Sequence, residues 1–487
     1  MYLWQVHFGE IFDVSISMKK LLLVLTLSIS FLSTAQQLTL RKGVVMDRIA
    51  VNDTIPEDFA LFLPSKFEAS KVWPVIFIYD MQGRGDKVLR MFLEAAEKNS
   101  YILAASNNIN DSLSLTQNVL ISKRMFNTVF SMFKIHKKRI YTAGFDRGAR
   151  VASLMPTFIN QINGVISCGS TIGNKEVLSS KNPFHFIGVV GNRDFNYPEM
   201  VKMEKLFNLM KFPNQTLVFD GDHQWPSLQM LSHAMEILDL EAMAKNIIPK
   251  DSVFIFETYQ RNLNYANRLI SEHKPVEAYH KLDEIMDVYK PLIKVDSLKD
   301  SQKALRRSPS YKSQNRNRKS IMLKESFIKD EYDYSLEEDI YTYNYNNLGW
   351  WNYQMDVLKK YKESTNRMQK QMGARLEGYL NALIADNIDI INLNSPLDEE
   401  ALNFLWMLKT ITSPDDFSYY LKVISLNAKV EDYGTALYYL EELLKKGYSN
   451  VDELYALENT ALFRITPEFN KLVAKYLKKA RYEIIQE

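Results

Sequence analysis

Two hydrophobic rhythms divide the chain. From Gln37 to about Lys245 short apolar runs alternate with helically spaced ones. Leu38–Met46, Phe59–Leu63, Tyr101–Ala105, Arg139–Ala143, Gly164–Cys168, His185–Val190 and Thr216–Phe219 have the length and β-branched or aromatic content of strands. Trp73–Tyr79 is apolar throughout, the pattern of a strand buried on both faces. Between these runs, Val88–Ala96, Val119–Phe133, Met200–Met210 and Leu228–Met243 repeat at helical spacing. Such alternation predicts an α/β domain, a mostly parallel sheet flanked by helices, over residues 36–245. From roughly Ile247 the strand signals stop. Ala266, Leu269, Ala278 and Leu282 bracket a turn at His273–Pro275, and Ile424, Ala436, Leu440 and Leu443 repeat the arrangement around Asp432. Residues 246–487 therefore read as an all-α domain of tetratricopeptide-like helical hairpins, irregular rather than a repeat array. The polar, basic stretch 306–319 within it reads as a solvated loop.

The chemistry concentrates at Gly144-Phe145-Asp146-Arg147-Gly148, where a strand run meets a helical one. Gly-x-Xaa-x-Gly at that junction is the layout of a nucleophile elbow, with the central residue on a strained turn above the sheet. Asp194 follows the end of a later apolar run, and His223 follows the last one. The order nucleophile, acid, histidine completes a triad pattern. Together with Ile78–Gly85, these segments resemble compact, lidless α/β-hydrolases of the esterase and dienelactone-hydrolase kind over about Gln37–Lys245.

That resemblance implies His223 as general base, Asp194 as its orienting partner, and oxyanion donors from the backbone N–H of Arg147 and one of Met81, Gln82 or Gly83. It also implies serine where this chain has Asp146. An aspartate, already ionised at neutral pH, can attack an electrophilic carbon directly, with the histidine activating water in a second step. Haloalkane dehalogenases and epoxide hydrolases work this way, using Trp or Tyr leaving-group donors that usually come from a cap. No cap-sized insertion interrupts the late strands, and Arg147 stands where such enzymes commonly carry tryptophan. Two alternatives stay open: a weak esterase in which His223 activates water, and an inactive fold whose Asp146, His223 and Asp194 only fix loops. The first reading is therefore a hydrolase of a small ester-like or other electrophilic substrate. The second is a pseudo-hydrolase that binds a protein or ligand through its helical domain.

Other residues carry bland readings. Cys168 ends an apolar run, as a structural thiol does, while His136, His185 and His233 suit packing or surface positions. Ser106, Ser167 and Ser170 lack flanking elbow glycines. Asp222 offers a second partner for His223, and Trp350, Trp351 and Tyr341–Tyr345 suit helix packing better than sugar stacking. One cysteine excludes an internal disulfide and a thiolate zinc cluster, and the scattered histidines give no metal motif, so no cofactor is expected. A net charge of +2 over 487 residues gives nucleic-acid binding no global support. Lys19–Lys20, the apolar stretch Leu21–Leu32 and Ser33–Ala35 read as a secretory signal peptide. Residues 1–35 are then an upstream extension plus leader, with translation starting at Met1 or Met18 and cleavage near Ala35. Export to a periplasm or the exterior follows, with no membrane span left after cleavage.

Overall fold

The computed structural model describes residues 39–52, 54–174, 178, 183–478 and 480–482. The leader at Lys19–Ala35 lies outside the described residues. The first half contains β1 (Val45–Ala50), β2 (Asp58–Phe62), β3 (Trp73–Tyr79), α1 (Gly85–Asn99), β4 (Ile102–Ser106), α2 (Leu115–Met132) and β5 (Ile135–Phe145). There follow α3 (Arg147–Phe158), β6 (Gly164–Cys168), β7 (His185–Gly191), α4 (Tyr197–Met210), β8 (Asn214–Phe219) and α5 (Leu228–Ala244). The strands form one sheet in the order β1-β2-β4-β3-β5-β6-β7-β8. β2 runs antiparallel to both β1 and β4, and the remaining pairs are parallel.

Burial explains the composition of the strands. β3, β4, β6 and β7 are buried at every residue, because helices cover both faces of the sheet. α1 and α5 close one face through Leu89, Phe92, Leu231 and Leu238. α2, α3 and α4 close the other through Met125, Phe126, Met155, Met200 and Phe207. The first strand departs from the expected Leu38–Met46. Gly43 takes a φ of 72° and donates to the Leu63 carbonyl, so the chain turns before β1 begins at Val45.

The second half is helical: α6 (Ser252–Ser271), α7 (Pro275–Tyr289), α8 (Asp296–Arg307), α9 (Pro309–Thr342), α10 (Leu348–Lys362) and α11 (Arg367–Asn392). α12 (Glu399–Thr412), α13 (Phe417–Lys429), α14 (Tyr433–Lys445), α15 (Val451–Ala456) and α16 (Pro467–Leu477) complete it. None of the described helices is long and apolar enough to cross a membrane. The hairpin α6–α7 closes where His273 takes φ 55° and Pro275 opens the next helix, with Ala266 and Ala278 fully buried. The hairpin α13–α14 turns at Glu431 (φ 62°), and the Asp432 side chain caps α14 by accepting from the Thr435 N–H.

The expected basic loop at 306–319 is instead helical, ending α8 and beginning the 34-residue α9. The Ser308 side chain caps α9 by accepting from the Tyr311 N–H, and Pro309 fills the first position where no N–H is needed. Lys, Arg and Gln are good helix formers, so a polar charged run with a cap at its head needs only an occasional anchor. Tyr311 and Ile321 are those anchors.

The halves meet through buried charge. Arg375 of α11 and Glu325 of α9 are 3 % and 1 % exposed and paired in a fork, Nε to Oε1 at 2.9 Å and Nη2 to Oε2 at 2.6 Å. The third guanidinium nitrogen, Nη1, donates to the Asn192 carbonyl of the loop after β7 at 2.7 Å, and the guanidinium lies 5.2 Å from the Tyr197 ring centre. Breaking such a pair strands a desolvated charge. Arg375→Leu or Glu325→Leu should each cost about 3–5 kcal/mol in urea unfolding, whereas removing both together should cost clearly less than the sum. Additive losses would show that the pair is not an energetic unit.

Candidate active site

β5 delivers the chain into α3 through the glycine-flanked turn. Asp146 sits there at φ 50°, ψ −119°, a region L-residues avoid at a cost of about 1–3 kcal/mol. Two things hold it. Its N–H donates to the Cys168 carbonyl of β6 at 2.9 Å, and its carbonyl accepts from the Arg150 N–H at 3.1 Å. The glycines permit the close approach: a Cβ on Gly144 would lie 2.5 Å from the Gly148 carbonyl carbon, and one on Gly148 would collide with the Tyr79 carbonyl oxygen. The Asp146 side chain projects outward and is 36 % exposed.

Asp194 lies in the turn after β7 and is wholly buried. Its Oδ1 accepts from the Asn196 N–H at 2.8 Å and stands 3.0 Å from His223 Nδ1. A carboxylate can only accept, so Nδ1 carries the proton and Nε2 faces the elbow. His223 Nε2 is 3.6 Å from Asp146 Oδ1, an ion-pair separation too long for a hydrogen bond. The imidazole is bracketed by Phe145 and Phe195, with ring centres 4.7 and 4.4 Å away. Asp222 does not serve the ring: it pairs with Arg193 at 2.7 Å, and Arg193 also holds Asp220 at 2.6 Å.

The expected oxyanion donors divide. The Arg147 N–H belongs to the first turn of α3, where a helix leaves its amides open. Contact between Gly148 and Tyr79 brings the loop after β3 to the elbow. Within that loop the Gly83 N–H donates to the Asp80 carbonyl at 3.0 Å, which removes Gly83 from the candidates and leaves Met81 and Gln82.

Carboxylates dominate the surroundings. The Arg147 guanidinium is bound by Asp386 (3.1 Å) and Asp389 (2.9 Å) of α11, whose hydrogen bonds hold it firmly charged. Arg84 is bound to Asp80 at 2.8 Å. Burial raises the Asp111 carboxyl above the usual range; Arg147 opposes that, while Asp146, Asp389 and Asp80 add to it. Among the described residues no group of three or more His, Cys, Asp or Glu side chains is arranged to hold a metal ion.

A mostly parallel sheet with this strand order, a strained strand-to-helix elbow after β5, an acid after β7 and a histidine after β8 decide the architecture. The first half has the α/β-hydrolase fold. No protein-family model matches the chain, and no curated protein matches it. Solved structures similar to this hydrolase fold include Est1E from Butyrivibrio proteoclasticus (13 % identity, 41 % of this chain and 99 % of that one, TM-score 0.34). S-formylglutathione hydrolase from Staphylococcus aureus matches at 13 % identity, over 41 % of this chain and 99 % of that one, with a TM-score of 0.33. Esterase B from Lactobacillus Rhamnosis matches at 12 % identity, over 48 % of this chain and 99 % of that one, with a TM-score of 0.34.

The other candidates fall outside the Asp146–His223–Asp194 cluster. Cys168 is buried, its thiol pushed up by that burial, and it serves the elbow only through its carbonyl. His185 and His233 pair with Glu241 (2.6 Å) and Glu284 (2.7 Å). Ser167 Oγ donates to the Ser170 carbonyl, Ser170 Oγ accepts from Arg150, and Ser106 Oγ accepts from the Asn108 N–H. Trp351 is fully buried, donating to Asp339 at 2.7 Å. Sequence reasoning missed the residues that reach the site from the second half. Lys329 Nζ donates to the Phe195 carbonyl at 2.9 Å, and Gly378 of α11 lets the Phe195 ring lie against the helix. A glycine inside a helical pattern was the one visible signal of that contact.

Two glycine substitutions test the elbow in opposite directions. Gly148→Ala should lose about 1–3 kcal/mol by overpacking against Tyr79. Asp146→Gly should be neutral or stabilising by up to about 1 kcal/mol, since it relieves the φ strain. Thermal unfolding of both variants checks this; equal losses would mean that the turn is not strained.

Proposed function

We propose that the chain is an exported hydrolase of esterase type in which Asp146 replaces the serine nucleophile, acting on a small ester-like or other electrophilic substrate. The observation that carries this reading is the exposed Asp146 carboxylate on its strained turn, 3.6 Å from an imidazole whose other nitrogen faces a buried acid. Asp146 Oδ attacks the electrophilic carbon and the leaving group departs with the bonding electrons, forming an aspartyl ester when that carbon is saturated and an acyl-aspartyl anhydride when it is an ester carbonyl. His223 Nε2 then takes a proton from water, which adds to the ester carbonyl carbon of Asp146. The Arg147 N–H and a donor from the Met81–Gln82 loop stabilise the oxyanion that forms there. Collapse releases the product, an alcohol from the ester or a carboxylic acid from the anhydride, with the proton held by His223, and restores the Asp146 carboxylate. A gap of 3.6 Å suits this sequence, because the base must address a water beside Asp146 and not the nucleophile itself. Five carboxylates (Asp80, Asp111, Asp146, Asp386 and Asp389) against two already paired guanidiniums favour neutral or cationic substrates over anions.

A second reading draws support from the ties between the halves. Arg375, Lys329, Asp386 and Asp389 fasten the acid loop and Arg147 to the helical half, an arrangement that also suits a disarmed hydrolase used as a scaffold. The helical half, with its tetratricopeptide-like hairpins, would then hold a protein partner.

A panel of chromogenic esters and alkyl halides, run on wild type, His223→Ala and Asp146→Ser, separates the two. Wild-type turnover should fall about a hundred- to ten-thousandfold in His223→Ala. His223→Gln should accumulate the aspartyl ester, seen as a mass increase on Asp146. An inactive wild type beside an active Asp146→Ser would replace the first reading with the second.

A further inference from the structure

Helix α9 carries its exposed charges in two blocks that meet at Phe327. Every exposed charged residue before Phe327 is basic, Arg316 and Lys319 among them, and every one after it is acidic, Glu331 and Glu338 among them. That order is the reverse of what a helix dipole favours, and the helix has no acidic residue in its first turn and no basic one in its last. Side chains on one helix pair only three or four residues apart, so the blocks cannot satisfy each other along α9. The preceding α8 mixes its signs and does pair them, Lys299 with Asp296 at 2.9 Å and Lys303 with Asp300 at 3.7 Å. Among the described residues Arg316, Lys319, Glu331 and Glu338 have no ion-pair partner.

The same face exposes apolar side chains in line with those charges. Leu323, Phe327, Tyr334 and Tyr341 are 57, 64, 67 and 85 % exposed. Phe327, Tyr334 and Tyr341 recur every seven residues and Leu323 lies one turn before Phe327, so the four form one stripe. The opposite face is spent inward, with Ile321, Tyr332 and Leu336 buried in the helical half. Isolated exposed apolar residues are ordinary on a protein surface. A heptad-spaced stripe flanked by segregated charge is the pattern of a helix-pairing seam.

We propose that this face is a two-fold dimer interface, with α9 of one copy lying antiparallel on α9 of a second and Phe327 at the axis. The axis belongs there because the two charge blocks meet there, and a two-fold makes every contact occur twice. Arg316 then falls opposite Glu338, exposed Ser320 opposite Tyr334, and exposed Ser313 opposite Tyr341, each pair being equidistant from Phe327 along the helix. Basic block meets acidic block, the two helix dipoles oppose, and each tyrosine ring meets a residue small enough to admit it. Parallel alignment would instead set like charges side by side. A second copy of this chain supplies the required partner sequence in the required order, and the dimer stands apart from the hydrolase reading, whatever the role of Asp146.

Sedimentation velocity of the purified chain over a concentration series tests this. A single helix pair is a small interface, so a monomer–dimer equilibrium in the micromolar range is expected. Phe327→Glu, which sets two carboxylates face to face at the axis, should weaken dimerisation at least about tenfold. Arg316→Glu and Glu338→Arg should each weaken it at least about threefold, because each creates two like-charge pairs. Mixing those two single variants should restore the dimer, since both charge pairs are then satisfied with the sign of one reversed. Circular dichroism of the three variants checks that they remain folded, as changes at exposed positions should leave them. A monomer at every concentration, a dimer that Phe327→Glu leaves intact, or single variants that do not recover on mixing would each overturn the proposal.

Discussion

Two main chains pass each other at the elbow more closely than a β-carbon allows. Gly148 rests on the Tyr79 carbonyl and Gly144 on Gly148, so α3 starts directly over the carboxyl ends of β3 and β5. Much of the site follows from that contact. The turn between the glycines is too tight for relaxed backbone, which leaves Asp146 at positive φ with its side chain thrust outward. The same turn starts α3, whose first amides have no intrahelical partner, immediately after that residue. The loop after β3 is drawn to the same point, and the sheet's parallel order places the acid after β7 and the histidine after β8 on the same rim.

The second constraint is electrostatic and joins the halves. Burying a guanidinium and a carboxylate costs several kcal/mol per ion, which only near-complete hydrogen bonding offsets. Arg375 achieves that by using two nitrogens on Glu325 and the third on the Asn192 carbonyl. The loop bearing Asp194 is thereby part of a network whose other members lie in α9 and α11. Phe195, pressed between the His223 ring and Gly378, extends the same coupling through packing. The helical half is therefore a structural component of the site, whatever the site does. It also closes a cavity along β8, whose walls come from both halves.

Local chemistry made much of this legible in the chain. Strands buried on both faces are apolar at nearly every position, so β3, β6 and β7 announce themselves as near-continuous runs. The elbow is legible because only glycine fits its two contacts, and the histidine and acid because each closely follows a strand end. Where the reading failed, a local signal had two outcomes. The 306–319 stretch is equally polar as loop or as exposed helix, and the cap at Ser308 together with the anchors Tyr311 and Ile321 settled it. Leu38–Met46 has strand composition, but the turn at Gly43 depends on a bond to Leu63 that composition does not encode.

The sequence by itself determined the alternation of elements, the elbow and the placing of Asp194 and His223 just past strand ends, because these rest on side-chain volume, periodicity and backbone tolerance within a few residues. Only the tertiary structure decided that Asp222 turns to Arg193 and not to His223, that Gly83 is spent on Asp80, and that Arg147 is held by Asp386 and Asp389. Those outcomes are competitions among polar groups far apart in the chain. Their winners are fixed by distance and desolvation once the two halves have packed.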